Sequence, residues 1–311
     1  MKKVIVTGGA GFIGSHVVEE LLRCGYTVSV IDNFSTGHRE NIAGLPVSIY
    51  NFDVTNPDVM DLIVSLQPDY VIHLAAQVSV AQSIQDMLFD EQVNVRGSLH
   101  VIKAAARASV KKVVFASSAA VYGNPLTLPV TTEHPTSPES PYGLAKLTVE
   151  NYLKLFHKLY QLPYSILRFS NVYGPRQDAH GEGGVIAIFA DRLRRDLPPV
   201  IFGDGEQTRD FVFVSDIASA CVKALNAEKN ICVNVSSGSS ITINRLLQMM
   251  KEISGSSVNT VYTQARPGDI RDSTLSNVEA KEGLNWAPSV GLMQGLLETL
   301  QFSHREMFKI K

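Results

Sequence analysis

The run Thr7-Gly8-Gly9-Ala10-Gly11-Phe12-Ile13-Gly14 constrains this 311-residue chain more than any other stretch. It follows the β-branched run Val4-Ile5-Val6 and opens a segment, 13–24, whose apolar residues recur at helical spacing. A glycine-rich turn between strand and helix lets the backbone come close to a pyrophosphate, and the helix N-terminus favours its negative charge. Asp32 closes the next apolar run, Val28-Ser29-Val30-Ile31. An acid there suits the two hydroxyls of a ribose and repels a 2′-phosphate. No basic residue follows at once, the next positions being Asn33, Phe34, Ser35, Thr36 and Gly37. The reading is a dinucleotide site for NAD rather than NADP, on Gly8, Gly11, Phe12, Ile13, Gly14, Asp32 and residues 33–37. Asp53 and Val54, after the third apolar run, stand where they reach an adenine; Asp53 serves equally as a plain turn acid.

Short β-branched runs alternate with longer helical patterns through the first half of the chain. That order predicts parallel strands with right-handed crossovers, covered on both faces: an α/β fold of Rossmann type with a doubly wound parallel sheet. The interval 124–140 breaks the alternation, with Pro125, Pro129, Pro135 and Pro138. A loop of that length inside a compact domain is usually functional. Ser140 suits an N-cap and Pro141 a first helical position, so a helix starts there. After about residue 170 the alternation loosens. The division expected is a dinucleotide-binding domain over 1–170 and a smaller mixed α/β substrate domain over 171–311, with segments near 211–236 returning to the first.

The chemistry sits at that helix start. Tyr142 and Lys146 are four residues apart, on one helix face. Ser117 and Ser118 end the apolar run Val113-Val114-Phe115-Ala116. A tyrosine with an ordinary pKa of about 10 works as a base near neutrality only if its phenolate is favoured. A lysine ammonium and a positive nicotinamide nearby would do so.

Together these patches resemble the extended short-chain dehydrogenase/reductase family, and within it the UDP-hexose 4-epimerases. The resemblance spans essentially the whole chain. It rests on the glycine turn, His73-Leu74-Ala75-Ala76, Ser117-Ser118-Ala119-Ala120-Val121-Tyr122-Gly123 and Pro141-Tyr142-Gly143-Leu144-Ala145-Lys146. Arg168-Phe169-Ser170-Asn171, Thr208-Arg209-Asp210-Phe211 and Arg266-Pro267-Gly268-Asp269 extend it. The resemblance implies that Tyr142 takes the proton from the sugar 4′-hydroxyl, that Ser118 relays it, and that Lys146 holds the nicotinamide ribose. It implies a transient 4-keto sugar and NAD regenerated in each cycle. Leu74, Ala75, Ala76, Gln77, Asn94 and Ser117 are implied on the cofactor. For the UDP-sugar it implies Arg209 and Arg266 as a diphosphate clamp, Asn171 on the pyrophosphate, Val200-Ile201-Phe202 as the uracil wall, and Val185 and Asp269 beside them. A homodimer paired through the helices near 92–108 and 142–160 is implied as well.

Ser273 departs from relatives that place a bulky tyrosine at this gate. A serine leaves room for a 2-acetamido group, so UDP-GlcNAc and UDP-GalNAc are expected substrates beside UDP-Glc and UDP-Gal. Two other activities of the same fold stay open. A nucleotide-sugar 4,6-dehydratase typically carries Thr-Asp-Glu where this chain has Ser117-Ser118-Ala119, and decarboxylating relatives place a glutamate near Ala120. A non-catalytic NAD-sensing protein would commonly lose Tyr142, Lys146 or both.

The bulk composition adds exclusions. A net charge of −2 with 19% charged residues gives no reason to expect nucleic acid or an anionic membrane as partner. Three cysteines at no metal or redox spacing, scattered histidines, and an N-terminus running straight into the first strand predict a cytoplasmic protein with no metal centre.

Overall fold

The computed structural model describes residues 1–179, 184–265 and 270–309. Six strands come first: β1 (Lys3–Thr7), β2 (Thr27–Asp32), β3 (Ser48–Asn51), β4 (Tyr70–His73), β5 (Lys112–Ser118) and β6 (Tyr164–Phe169). The helices between them are α1 (Phe12–Arg23), α2 (Val59–Leu66), α3 (Val80–Gln85), α4 (Met87–Asp90), α5 (Ser98–Arg107) and α6 (Pro141–Tyr160). Short strands follow, β7 (Asn171–Tyr173), β8 (Val200–Phe202), β9 (Thr208–Arg209) and β10 (Phe211–Phe213), with α7 (Val185–Arg194) after β7. Then come α8 (Val214–Leu225), β11 (Ile231–Val235), β12 (Ile241–Thr242), α9 (Ile243–Ser254), β13 (Val261–Thr263), α10 (Val278–Leu284) and α11 (Leu292–Lys309).

One seven-stranded parallel sheet, in the order β11-β6-β5-β4-β1-β2-β3, organises the molecule. The strand order reverses between β1 and β4. In open parallel sheets the crevice at such a reversal, beyond the C-terminal strand ends, is where ligands bind. Alternate residues of each strand feed two cores, as a period of two demands. Val4 and Val6 pack with Val18, Leu21, Cys221 and Trp286 on one face. Ile5 and Ile31 pack with Ile63, Ile102, Phe115 and Val149 on the other.

The late segment Ile231–Val235 completes this sheet beside β6, and α8 packs on α1. A third core lies apart, where Phe189, Ile201, Phe211, Leu246, Met250 and Leu296 meet. The helix expected over 92–108 begins as a π turn at Glu91–Gly97 and becomes α-helical only at Ser98. Apolar periodicity over so short a stretch does not distinguish the wider turn. That turn leaves Asn94 buried.

Candidate active site

The glycine turn is sterically obligatory. Gly8 has φ +71°, and a Cβ on it would stand 2.7 Å from the Ala75 amide nitrogen. A Cβ on Gly14 would stand 2.0 Å from the Gly8 carbonyl oxygen. The helix α1 thus starts against the strand ends, with Gly11 as its N-cap and Phe12 and Ile13 partly exposed in its first turn. Gly14→Ala must force the turn open, at a cost of about 1–3 kcal/mol. We expect a lower urea midpoint and weaker dinucleotide binding by calorimetry; wild-type affinity would show that this turn does not hold the ligand.

Asp32 is buried at the end of β2. One carboxylate oxygen accepts from the Ala10 amide at 2.9 Å and the other from the Phe34 amide at 2.8 Å. Each oxygen keeps a lone pair, the acceptor pair that a ribose diol needs. Asn33 donates to Asp53 at 2.8 Å and accepts from the Ser35 amide and hydroxyl. Thr36 and Gly37 complete the loop, Gly37 lying against the Asp32 carboxylate. Val54 is buried and its carbonyl contacts His100. Arg39, in the segment that follows Asp32 in the chain, stacks on the Phe34 ring at 4.2 Å, a contact not marked in the sequence.

From β4 the chain runs through Leu74, Ala75 and Ala76 to Gln77, close over the glycine turn. His73 at the strand end is buried, 2.7 Å from Thr7 Oγ1 and 2.8 Å from Ser98 Oγ. Ser98 gives its own proton to the Asn94 carbonyl at 2.6 Å, so it accepts from His73 Nε2–H, and Nδ1 accepts from Thr7. Burial, and then the charge of Lys146, push His73 down to about 3, and the imidazole stays neutral.

Ser118, at the end of β5, lies near Tyr142 on the first turn of α6, where its hydroxyl opposes the upward push of burial on the phenol. It also accepts from the Ala120 amide at 3.1 Å. Ser140 caps α6 by accepting from the Gly143 amide, and Pro141 opens it. Lys146 sits one turn further on, its ammonium 5.7 Å from the centre of the Tyr142 ring and 5.1 Å from that of Phe115. It donates to the Ala116 carbonyl at 3.0 Å. Burial brings this lysine down to about 8, against the pull of Asp90. Tyr142 is pushed up to about 12 by burial, with Ser118 opposing and Asp90 adding. Desolvation therefore outweighs any lowering by the lysine, and the phenol rests protonated.

Ser117 turns the other way. Its hydroxyl donates to Glu150 at 2.6 Å, inside a buried pair in which Arg168 grips Glu150 with two nitrogens at 2.9 and 2.6 Å. Arg168 also donates to Tyr122, which donates to Asn234.

Asn171 opens β7, pairs with Phe211 and is exposed to solvent. Val185 is partly buried at the head of α7. Along β8, Ile201 points into the third core while Val200 and Phe202 remain partly exposed. Arg209 is half-buried and donates to the Thr208 carbonyl at 2.8 Å. Arg266 and Asp269 lie outside the described residues. Ser273 is half-buried, and the adjoining Thr274 carbonyl accepts from Val130 of the long loop after Tyr122.

Two carboxylates escaped the sequence reading. Asp210 is fully buried and accepts from the Ser237 amide and hydroxyl and from the Leu275 amide. Asp90 is buried beside Gln77 and Asn94. The Thr208-Arg209-Asp210-Phe211 run contained the first; nothing local marked the second.

A family model described as the NAD dependent epimerase/dehydratase family matches residues 4–236. The chain belongs to that family. A UDP-glucose 4-epimerase of Mycolicibacterium smegmatis is 40% identical over 306 residues, 96% of this chain and 98% of that one. The crystal structure of a Thermotoga maritima UDP-glucose 4-epimerase with UDP-glucose superposes with a TM-score of 0.95 at 42% identity, covering 98% and 99% of the two chains. A UDP-N-acetylglucosamine 4-epimerase from Methanobrevibacter ruminantium, in complex with UDP-N-acetylmuramic acid, gives 0.94 at 37%, covering 98% and 99%.

Membership in the epimerase/dehydratase family agrees with what the site can hold. At Gly8 and Gly14 the turn has no room for a side chain, so bare backbone lines it there. Asp32 keeps acceptors for a ribose. The Lys146 ammonium gives one of its three hydrogens to Ala116, the single hydrogen bond it makes among the described residues.

Proposed function

We propose that this chain is an NAD-dependent UDP-hexose 4-epimerase that works through a transient 4-keto sugar. The observation that carries the reading is the meeting of Ser118, Tyr142 and Lys146 beside the glycine turn, in a chain 40–42% identical over nearly its full length to UDP-glucose 4-epimerases. NAD, when bound, accepts and returns hydride at C4 of the sugar and sets a positive charge beside the phenol. Gly8, Gly11, Gly14, Asp32, Asn94 and Lys146 would hold it.

Tyr142 takes the proton from the 4′-hydroxyl and later gives it back. Ser118, beside the phenol, passes that proton between sugar and tyrosine. Lys146 holds positive charge beside the ring below about pH 8, which favours the phenolate as the proton leaves the sugar. Arg209 and Asn171 stand across the crevice for the diphosphate, a task in which guanidinium groups fit two oxygens at once. We assign Arg266 and Asp269 to the same sugar-nucleotide side. The third core, within 171–311 and including Phe211 and Phe213 of β10, carries that side as a second domain, while α8 and β11 serve the domain begun by 1–170, so the return expected near 211–236 starts after β10.

Ser273 would decide breadth of substrate. It neighbours the segment bridged to the loop after Tyr122, so a side chain at 273 bears on the room available as the sugar turns. Ser273→Tyr is expected to lower kcat/KM for UDP-GlcNAc by roughly tenfold or more relative to UDP-Glc, about 1.4 kcal/mol of discrimination. An equal loss on both sugars would remove the gate. Incubating the protein with each sugar in turn and following the C4 epimers by NMR without added reductant tests the activity itself. A dehydrated or decarboxylated product would replace the epimerase reading.

The homodimer expectation gains a surface. Ile84, Met87 and Leu88 on α3 and α4, and Leu155, Leu159 and Tyr160 on α6, are exposed on helices that pack together. An apolar face of this kind is typical of an interaction site. A second copy using α6 is the occupant, in the cytoplasm. Among the described residues no helix is long and apolar enough to cross a membrane.

A further inference from the structure

A carboxylate shut away from water is tolerated where donors take up its lone pairs. Asp210 is fully buried. Its Oδ1 accepts from the Ser237 amide at 2.9 Å and the Ser237 hydroxyl at 2.7 Å, with the Ser170 hydroxyl at 3.4 Å. Its Oδ2 accepts from the Leu275 amide at 3.2 Å. The backbone carbonyl of the same residue accepts from the Asn171 amide at 3.0 Å.

Three segments far apart in the chain therefore meet on one residue: 170–171 after β6, 236–237 after β11, and 274–275. Asn171 opens β7, Arg209 directly precedes Asp210, and Ser273 is strung between two fixed points. The first point is Thr208, whose amide donates to the Arg271 carbonyl at 3.0 Å and whose hydroxyl donates to Asp272 at 2.8 Å. The second is the bond from Leu275 to Asp210. Val130, in the long loop after Tyr122, donates to the Thr274 carbonyl and accepts from the Ser276 amide, both at 2.8 Å. The loop is thus held through the same segment. A cavity of about 390 Å³ opens between its residues Asn124–Leu128 and Ile270–Asp272. That volume is within the range of small-molecule sites. The Arg271–Asp204 ion pair also ties this segment, but it is exposed, and such pairs hold little.

We propose that Asp210 is a positioning residue for the sugar nucleotide: its carboxylate and carbonyl hold Asn171, Arg209 and Ser273 in one fixed arrangement. This rests on the reading that those three serve the UDP-sugar.

Asp210→Asn separates the links. An amide keeps one acceptor oxygen, which belongs where the Ser237 amide and hydroxyl converge. Its NH₂ then meets the Leu275 N–H, donor against donor. The substitution releases 274–275 while the Ser237 bonds and the pairing of β7 with β10 stay. It is isosteric and sheds a buried charge whose carboxyl burial already pushes up, so the variant is expected to fold. Ser237→Ala does the reverse: it removes a hydroxyl and leaves Leu275 tied.

The experiment compares wild type, Asp210→Asn and Ser237→Ala as full chains with NAD bound. UDP binding is read by calorimetry, UDP-Glc turnover by kinetics, folding by urea midpoint, and the Leu275 amide by hydrogen exchange. Asp210→Asn is expected to speed that exchange, and to weaken UDP binding and raise KM on the order of tenfold with kcat within about twofold. Ser237→Ala is expected to lower the midpoint yet keep both affinities within about twofold of wild type. A residue that only holds the fold together would move both variants' affinities in step with their midpoints. That result, unchanged exchange at Leu275, or wild-type affinity in Asp210→Asn overturns the proposal. Absence of UDP binding by wild type, seen apart from either variant, would remove the substrate reading and this proposal with it.

Discussion

Tyr142→Phe should lower kcat for interconversion of UDP-Glc and UDP-Gal by on the order of 10³-fold, or about 4 kcal/mol of barrier. The substitution removes one hydroxyl and leaves the ring under Lys146, so NAD affinity and folding should stay close to wild type. The effect is large because, among the described residues, the site holds no substitute base of the right kind. His73 is neutral but walled off between Thr7 and Ser98, with both ring nitrogens engaged. Ser118 can relay a proton but is a poor base without the phenol. Single-turnover kinetics would check the step directly. A loss of less than tenfold would assign proton removal to another group and reduce Tyr142 to a packing residue.

Glu150→Gln is expected to cost about 3–5 kcal/mol of stability, read as a lower urea midpoint. Glu150 is fully buried, and Arg168, only 4% exposed, donates two of its nitrogens to that carboxylate. Taking away the negative partner strands a guanidinium in the interior, the expensive way to break a buried pair. The damage should travel to the site, since the Ser117 hydroxyl rests on the same carboxylate and Ser118 is its neighbour. A change below about 1 kcal/mol would show that water compensates the arginine.

The parts of this molecule that the sequence announced are those written as local patterns. Strand, glycine turn and helix stand within a dozen residues, as do Ser140, Pro141, Tyr142 and Lys146, so backbone preference and chemistry point to one place. Asp90 carries no such signature: a carboxylate four residues before Asn94 reads as an ordinary helix-surface charge, and only the π turn brings both side chains inward. Ser117 shows the converse. Its position beside Ser118 placed it with the cofactor residues, yet alternation along β5 sends its hydroxyl to Glu150, whose partner Arg168 comes from the next strand. Ile201 is similar, since an apolar run does not say which of its residues faces the core. The depression expected for Tyr142 required knowing how thoroughly the phenol is desolvated, and burial is a property of the assembled fold.

The placement of β11 at the edge of the sheet bears on how the chain comes to be made. Its neighbour β6 ends at Phe169, while β11 ends at Val235, so the ribosome must add 66 more residues before that edge is paired. At ~5–20 residues per second this leaves the apolar edge of β6 open for about 3–13 s. During that interval an unpaired strand can add to another nascent chain. The Lys112 side chain, which later donates to the carbonyls of Ala227 and Lys229, leaves a cation on the preceding strand until those residues arrive. Like charges of this kind on neighbouring nascent chains oppose edge-to-edge pairing. Completion of the nucleotide-binding sheet is therefore a late event in synthesis, and the earliest-written motif of the protein waits on one of its later segments.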